Sequence, residues 1–285
     1  MPYAAEIRRT NPTCFLFLVD QSSSMLEQFG GSQDKSKAQG VADAINRLLQ
    51  NLALKCAKSD GIRDYFHVGV IGYGGSRVMP AFSGALAART LAPISEIARN
   101  PVRVEQRSRK VDDGAGGIME QKFKFPVWFE PVSQGKTPMC QALQLAHTTV
   151  AEFVRGFPDC YPPLVVNITD GAATDGDPDK PAANLRNLAS TDGNALLLNA
   201  HLSSKELRAI EFPDREQGLP DDQARLLFRM SSVLPPKLLA AAKADGFVVT
   251  PASRGFVFNA DLVAIVRFLD IGTQVAAAVQ HDVQK

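Results

Sequence analysis

"FLFLVDQSSSM", residues 15–25, decides how the rest of the chain is read. Bulky apolar residues run without alternation into Asp20, and Ser22 and Ser24 then follow on alternate positions. An unbroken apolar run of this kind marks a strand covered on both faces, as in a parallel sheet, whereas a strand with one wet face alternates. On leaving it, the chain at once presents a carboxylate and two hydroxyls. A helix cap or a solvated turn accounts for Asp and Ser taken singly. The meaning of the stretch therefore depends on what other loops bring to the same place.

Outward from it, further apolar runs occur at 65–73, 164–170, 195–203 and 246–250, and with residues 14–20 they predict the strands. Amphipathic segments lie between them. Over residues 35–58 the positions Ala38, Val41, Ala42, Ile45, Leu48, Leu49 and Leu52 follow helical spacing, with Asp34 or Ser32 as the cap. Residues 138–157 predict a second helix, with proline in its first turn and Gly156 at its end, and 179–190 and 235–246 a third and fourth. Residues 261–279 predict a fifth, capped by Asn259 or Asp261. Strand and helix in alternation predict one doubly wound, mostly parallel α/β sheet with helices on both faces. This domain spans residues 12–280, with 1–11 and 281–285 as terminal extensions. Two stretches interrupt the pattern: 99–130, a β-hairpin insertion around "DDGAGG", and 204–234, a loop with one short helix.

Composition narrows the function classes. The chain has 285 residues, 45% hydrophobic and 21% charged, enough to bury a full core. With 31 basic and 30 acidic side chains the net charge of +1 gives no reason to expect a nucleic acid, an anionic membrane or a polyanionic substrate. The N-terminal residues lack an apolar targeting core, and no run approaches the ~20 apolar residues of a membrane helix, so a cytoplasmic location is expected. Cys14, Cys56, Cys140 and Cys160 are far apart and form no C-x-x-C pair, which predicts buried, reduced thiols. The four histidines are scattered, and none is assigned a catalytic role.

In an open α/β sheet, ligands sit where loops leave the carboxyl ends of the strands. Asp20 to Ser24 is one such loop. "TDGAATDGD" (169–177) is another, with Asp170 at the equivalent height, and "SQGKTPM" (133–139) brings Thr137. Together they supply two carboxylates and three hydroxyls, hard oxygen donors of the kind that suit Mg2+ or Mn2+. Asp175, Asp177 and Asp179 read as surface acids or helix-start residues, and Glu27 and Gln28 as solvent-facing.

"DQSSSM", "GKTPM" and "TDG", in this order, resemble the metal-ion-dependent adhesion site of the von Willebrand factor A domain family, whose pattern is D-x-S-x-S, a distant Thr and a distant Asp. Asp20, Ser22, Ser24, Thr137 and Asp170 match it residue by residue. Ser23 departs from it, standing where the family commonly has glycine, and "AATD" lacks a proline before Thr174 that many bacterial members carry. The resemblance implies a site for Mg2+, with Mn2+ or Ca2+ as alternatives. The two serines and the threonine are its direct ligands, the aspartates stand mostly behind them, and a Glu or Asp of a protein partner completes the ion. Among relatives, the chain looks like stand-alone intracellular bacterial members of the kind associated with tellurium resistance, often linked to protein kinases and phosphatases.

Enzyme readings find less support. A phosphotransferase of the haloacid-dehalogenase kind would use Asp20 as nucleophile and want a second aspartate two residues on, where Ser22 stands. There is no G-x-S-x-G elbow, no Walker lysine and no G-x-G-x-x-G. A scaffold with a purely structural metal is a third reading. In the hairpin, Phe123 and Phe125 alternate with Lys122 and Lys124, which reads as one-face packing. Phe129 precedes Thr137 by eight residues, at most about 30 Å of chain, so the hairpin base stands near the metal loop. Its seven basic residues from Arg99 to Lys124 suit an acidic partner surface.

Overall fold

The computed structural model describes residues 2–28, 35–75, 77–112, 117–203 and 208–259. The expected helix over 261–279, the caps Asp34, Ser32 and Asp261, the hairpin turn at 113–116, residues 204–207 and the C-terminal domain boundary all lie outside the described residues.

The elements, in chain order, are β1 (Thr13–Asp20), α1 (Lys37–Cys56), β2 (Phe66–Gly74), β3 (Arg77–Pro80), α2 (Ile94–Arg99), β4 (Arg103–Asp112), β5 (Ile118–Val127), α3 (Met139–Gly156), β6 (Leu164–Thr169), α4 (Asp179–Arg186), β7 (Leu196–His201), β8 (Ile210–Glu211), α5 (Asp222–Met230), α6 (Pro236–Ala244) and β9 (Phe256–Phe258). The main sheet runs β8-β9-β7-β6-β1-β2-β3, with the short segment Ala92–Pro93 also paired to β2. Its five inner strands are parallel, and β3 and β8 close the two edges antiparallel. The chain crosses from β1 to β2 on one side and returns to β6 on the other, so β1 and β6 flank the topological switch point.

Near-continuous apolar strands place their two faces against two helical layers. Phe15, Phe17 and Val19 join α1, α2 and α6 in one core, through Val41, Ile45, Leu49, Ile97 and Leu238. Cys14, Leu16 and Leu18 join α3, α4 and α5 in the other, through Leu143, Val150, Leu185 and Leu227. The period of two along one strand thus feeds both layers. Between them a string of buried polar groups crosses the sheet: Tyr73 donates to Asn167 at 2.6 Å, Asn167 to Asn199 at 3.0 Å, and Asn199 to Ser231 at 2.9 Å. All four cysteines are free and buried. Burial pushes the Cys56 thiol up to about 12 and those of Cys140 and Cys160 up to about 11.

One expected strand is corrected. Residues 246–250 form no strand, and the parallel edge is Phe256–Phe258, paired with Asn199–His201. Gly246 ends α6 with φ of +88°, a left-handed residue that breaks extension at its first position. Phe247 then packs edge-to-face on Phe212, and Val248 is exposed to solvent. Helix α1 is capped by Ser36, whose hydroxyl accepts from the Gln39 N–H. The stretch 99–130 contains the hairpin β4–β5, ten residue pairs long, built on α1 through buried Asn46.

Candidate metal centre

Register sets the height of the site. Asp20 pairs with Tyr73, Val19 with Ile168, and Thr169 with His201, so the carboxyl ends of the parallel strands stand in one row. Asp20 is fully buried there. Its Oδ1 accepts from the Ser22 N–H at 2.8 Å, an Asx turn that bends the chain off the strand, and its Oδ2 accepts from Thr169 Oγ1 at 2.6 Å. Burial pushes the carboxyl up to about 6; the Thr169 and Ser22 hydrogen bonds pull it back, and the neighbouring Asp170 charge adds to the rise.

Beyond the turn, Ser22 Oγ and Ser24 Oγ lie 3.0 Å apart, and Ser24 Oγ donates to Asp170 Oδ1 at 2.7 Å. The Ser24 hydroxyl is committed to the Asp170 carboxylate, and the Ser22 and Ser24 oxygens stand side by side as hard donors of the kind a small cation requires. Four of the five expected donors thus form one hydrogen-bonded group drawn from two loops.

Thr137 belongs to the third loop and is buried. Its N–H donates to Thr174 Oγ1 at 3.1 Å, and its carbonyl accepts from the Thr174 N–H at 2.9 Å, which ties it to the loop that follows Asp170. A Cβ on Gly171 would stand 3.9 Å from Thr137 Oγ1, so that hydroxyl faces the residue next to Asp170. Ser23, the departure from the family pattern, clasps the same loop: its N–H donates to the Gly135 carbonyl at 3.0 Å, and its Oγ accepts from the Gly135 N–H at 2.8 Å. Asp175 caps α3 from outside the helix, accepting from the Cys140 and Gln141 N–H groups at 3.1 and 3.0 Å.

Two residues at the site escaped the sequence reading. Lys37 is buried, and its Nζ donates to Asp170 Oδ2 at 2.9 Å and to Glu27 Oε2 at 2.8 Å. Glu27, read as solvent-facing, is a partner of this lysine while its side chain stays 55% exposed. The signal for Lys37 is its place four residues before Val41 and eight before Ile45, on the apolar stripe of α1, where an unpaired lysine would not be buried. Thr169, next to Asp170, is the other omission.

The donors fit a small divalent cation by chemistry: three neutral hydroxyls and two carboxylates, all hard oxygen. Among the described residues, no group of three or more His, Cys, Asp or Glu side chains is placed to hold a metal.

No protein-family profile and no curated protein matches the chain. Among solved structures it is similar to three N-terminal domains of the type V pili tip protein Mfa5 from Porphyromonas gingivalis, with 13% identity over 57% of this chain and 20% of that one, at a TM-score of 0.32. It is likewise similar to the vWF domain of the same Mfa5 protein, with 13% identity over 57% of this chain and 39% of the other, at a TM-score of 0.31. The matched region therefore spans less than half the length of each Mfa5 chain. The fold described above rests on strand order and register.

Proposed function

We propose that the protein is a divalent-cation-dependent protein-binding module of the von Willebrand A type. Ser22, Ser24 and Thr137 would hold Mg2+, with Mn2+ or Ca2+ as alternatives, and Asp20 and Asp170 would balance its charge. The bound ion would supply an open coordination position for a Glu or Asp of a protein partner. The observation that carries this reading is the hydrogen-bonded group Ser22–Ser24–Asp170, joined from two loops at the switch point.

The same geometry supports a non-catalytic role. Asp20 is fully buried and both its oxygens are held by Ser22 and Thr169, a setting that favours a positioning role over attack on a phosphoryl group. By analogy with the tellurium-resistance-associated proteins, we place the partner in a cytoplasmic, kinase- or phosphatase-linked complex and expect no nucleic-acid or membrane partner. A scaffold with a structural metal remains the alternative, distinguished by whether the ion is needed for capture.

Calorimetric titration with Mg2+ and Mn2+, followed by affinity capture from the native lysate with and without chelator, tests the proposal. Capture should require the ion, should fail for Asp20→Ala, and should be lost when one acidic residue of the captured protein is neutralised. Chelator-insensitive capture, or a Mg2+-dependent phosphatase activity abolished in Asp20→Ala, would overturn it.

A further inference from the structure

Lys37 is the only described lysine whose ammonium bridges the candidate site, and it is 2% exposed. Its partners are unequal. Asp170 has a side chain with no exposure, while that of Glu27 is 55% exposed. One end of the bridge therefore lies in the low-dielectric floor of the site and the other at its wet rim.

Resting on the metal reading above, we infer that Lys37 is a resident counter-ion that competes with the divalent cation for the field of Asp170 and so sets the affinity and selectivity of the site. Asp170 divides its two oxygens, Oδ1 taking the Ser24 hydroxyl and Oδ2 the Lys37 ammonium. A cation ligated by Ser24 would therefore share one carboxylate with a fixed positive charge, the Ser24 hydroxyl standing 2.7 Å from one oxygen and the ammonium 2.9 Å from the other, and in a buried setting repulsion across so short a bridge is substantial. Without the ion, the ammonium cancels the Asp170 charge, which desolvation would otherwise penalise. With the ion bound, one carboxylate serves two cations, and the favourable response is for Nζ to transfer its interaction to Glu27, 2.8 Å away and open to water. Because α1 begins at Lys37 and its N–H donates to the Glu27 carbonyl at 2.9 Å, that transfer acts on the chain just after the D-x-S-x-S loop. Only an ion of high charge density pays the cost of displacing an ammonium, so monovalent cations are rejected.

The test compares wild type, Lys37→Met and Lys37→Arg by Mg2+ and Mn2+ titration calorimetry, with melting temperatures in chelator. Methionine keeps the apolar stem and removes the charge; arginine keeps the charge. Lys37→Met should bind the ions on the order of tenfold tighter or more and melt lower than wild type in chelator, while Lys37→Arg, which keeps the positive charge, does not gain that affinity. Equal or weaker binding by Lys37→Met would overturn the counter-ion role and leave the metal reading standing. Absence of binding by wild type and Lys37→Met alike would overturn the metal reading, and this inference with it. Should Lys37→Met fail to fold, the wild type answers through the nitrogen-15 resonance of its buried Lys37 ammonium. A shift at saturating Mg2+ supports the transfer from Asp170, and an unchanged resonance refutes it.

Discussion

Single residues fix the crown of loops more tightly than its polar composition suggests. Gly135 has φ of +70°, and a Cβ there would meet Gly75 Cα at 2.5 Å and Gly75 N at 3.0 Å, both backbone atoms. Gly135→Ala combines a left-handed conformation that L side chains avoid with a backbone clash, and should cost at least about 2 kcal/mol of unfolding free energy. Since Gly135 also holds Ser23 at both its N–H and its carbonyl, its Mg2+ affinity should fall as well. Denaturant unfolding and calorimetry read the two effects. Asn46 works in the same way at the hairpin base: its Nδ2 donates to the Phe129 carbonyl at 2.8 Å, and its Oδ1 accepts from the N–H groups of Trp128 and Phe129 at 2.8 and 3.1 Å. Asn46→Ala leaves three buried backbone groups unpaired and should cost about 3 kcal/mol. A loss below about 1 kcal/mol would mean that water replaces the amide.

At the scale of elements, the hairpin is anchored by charge as well as by packing. Arg107 pairs with Asp43 of α1 at 2.8 Å and lies 3.7 Å over the Phe125 ring, while Lys35 reaches the other Asp43 oxygen at 2.6 Å. Arg103 pairs with Glu105 and Glu130. Arg103 and Arg107, two of the seven basic residues counted in the sequence, are therefore paired with carboxylates of this chain, and the surface is less cationic than that count implied. Burial works to raise the Asp43 carboxyl, but Lys35 and Arg107 outweigh it and hold it below the usual carboxylate range. A pKa depressed by folding gives stability that is complete above the unfolded value, ~3.9, and lost as pH falls through the lower folded value. Hydrogen exchange in Arg103–Val127, corrected for intrinsic rates, should quicken only below about pH 4. In Asp43→Asn it should be faster at neutral pH by the loss of about 2 kcal/mol and insensitive to this acid step. A pH-independent wild-type hairpin would contradict the assignment.

Across the whole molecule, the Asp20–Ser24 loop and the two loops carrying Thr137 and Asp170, over a hundred residues further along the chain, are brought together only when the sheet is assembled, so an ion that bridges them binds the folded state alone. Mg2+ at about a hundred times its dissociation constant should add about 2.7 kcal/mol to unfolding free energy. The melting temperature should rise with ion concentration and return with chelator, and Asp20→Ala should abolish the response. An ion-independent melting curve at millimolar Mg2+ would remove the divalent site from the account.

The doubly wound sheet was legible because burial on both faces demands continuous apolar strands, and helices covering them demand a 3.6-residue period; both are local patterns in one dimension. The loop containing Asp20, Ser22 and Ser24 and the loop containing Asp170 were legible for the same reason, since each directly follows such a strand. The edge strand was not: at 246–250 a local apolar run resembles a strand, yet Gly246 turns the backbone away and Phe256–Phe258, three residues long, takes the place by pairing with β7. Lys37 was hidden in the same way, because a lysine in a helical sequence reads as solvated until an aspartate 133 residues away is seen beside it. The sequence alone determined the central strands β1, β2, β6 and β7, the long helices between them and which oxygens stand at strand ends. Only the tertiary structure decided which charges those oxygens face, because electrostatic partners are chosen by proximity in space, which residue order does not encode.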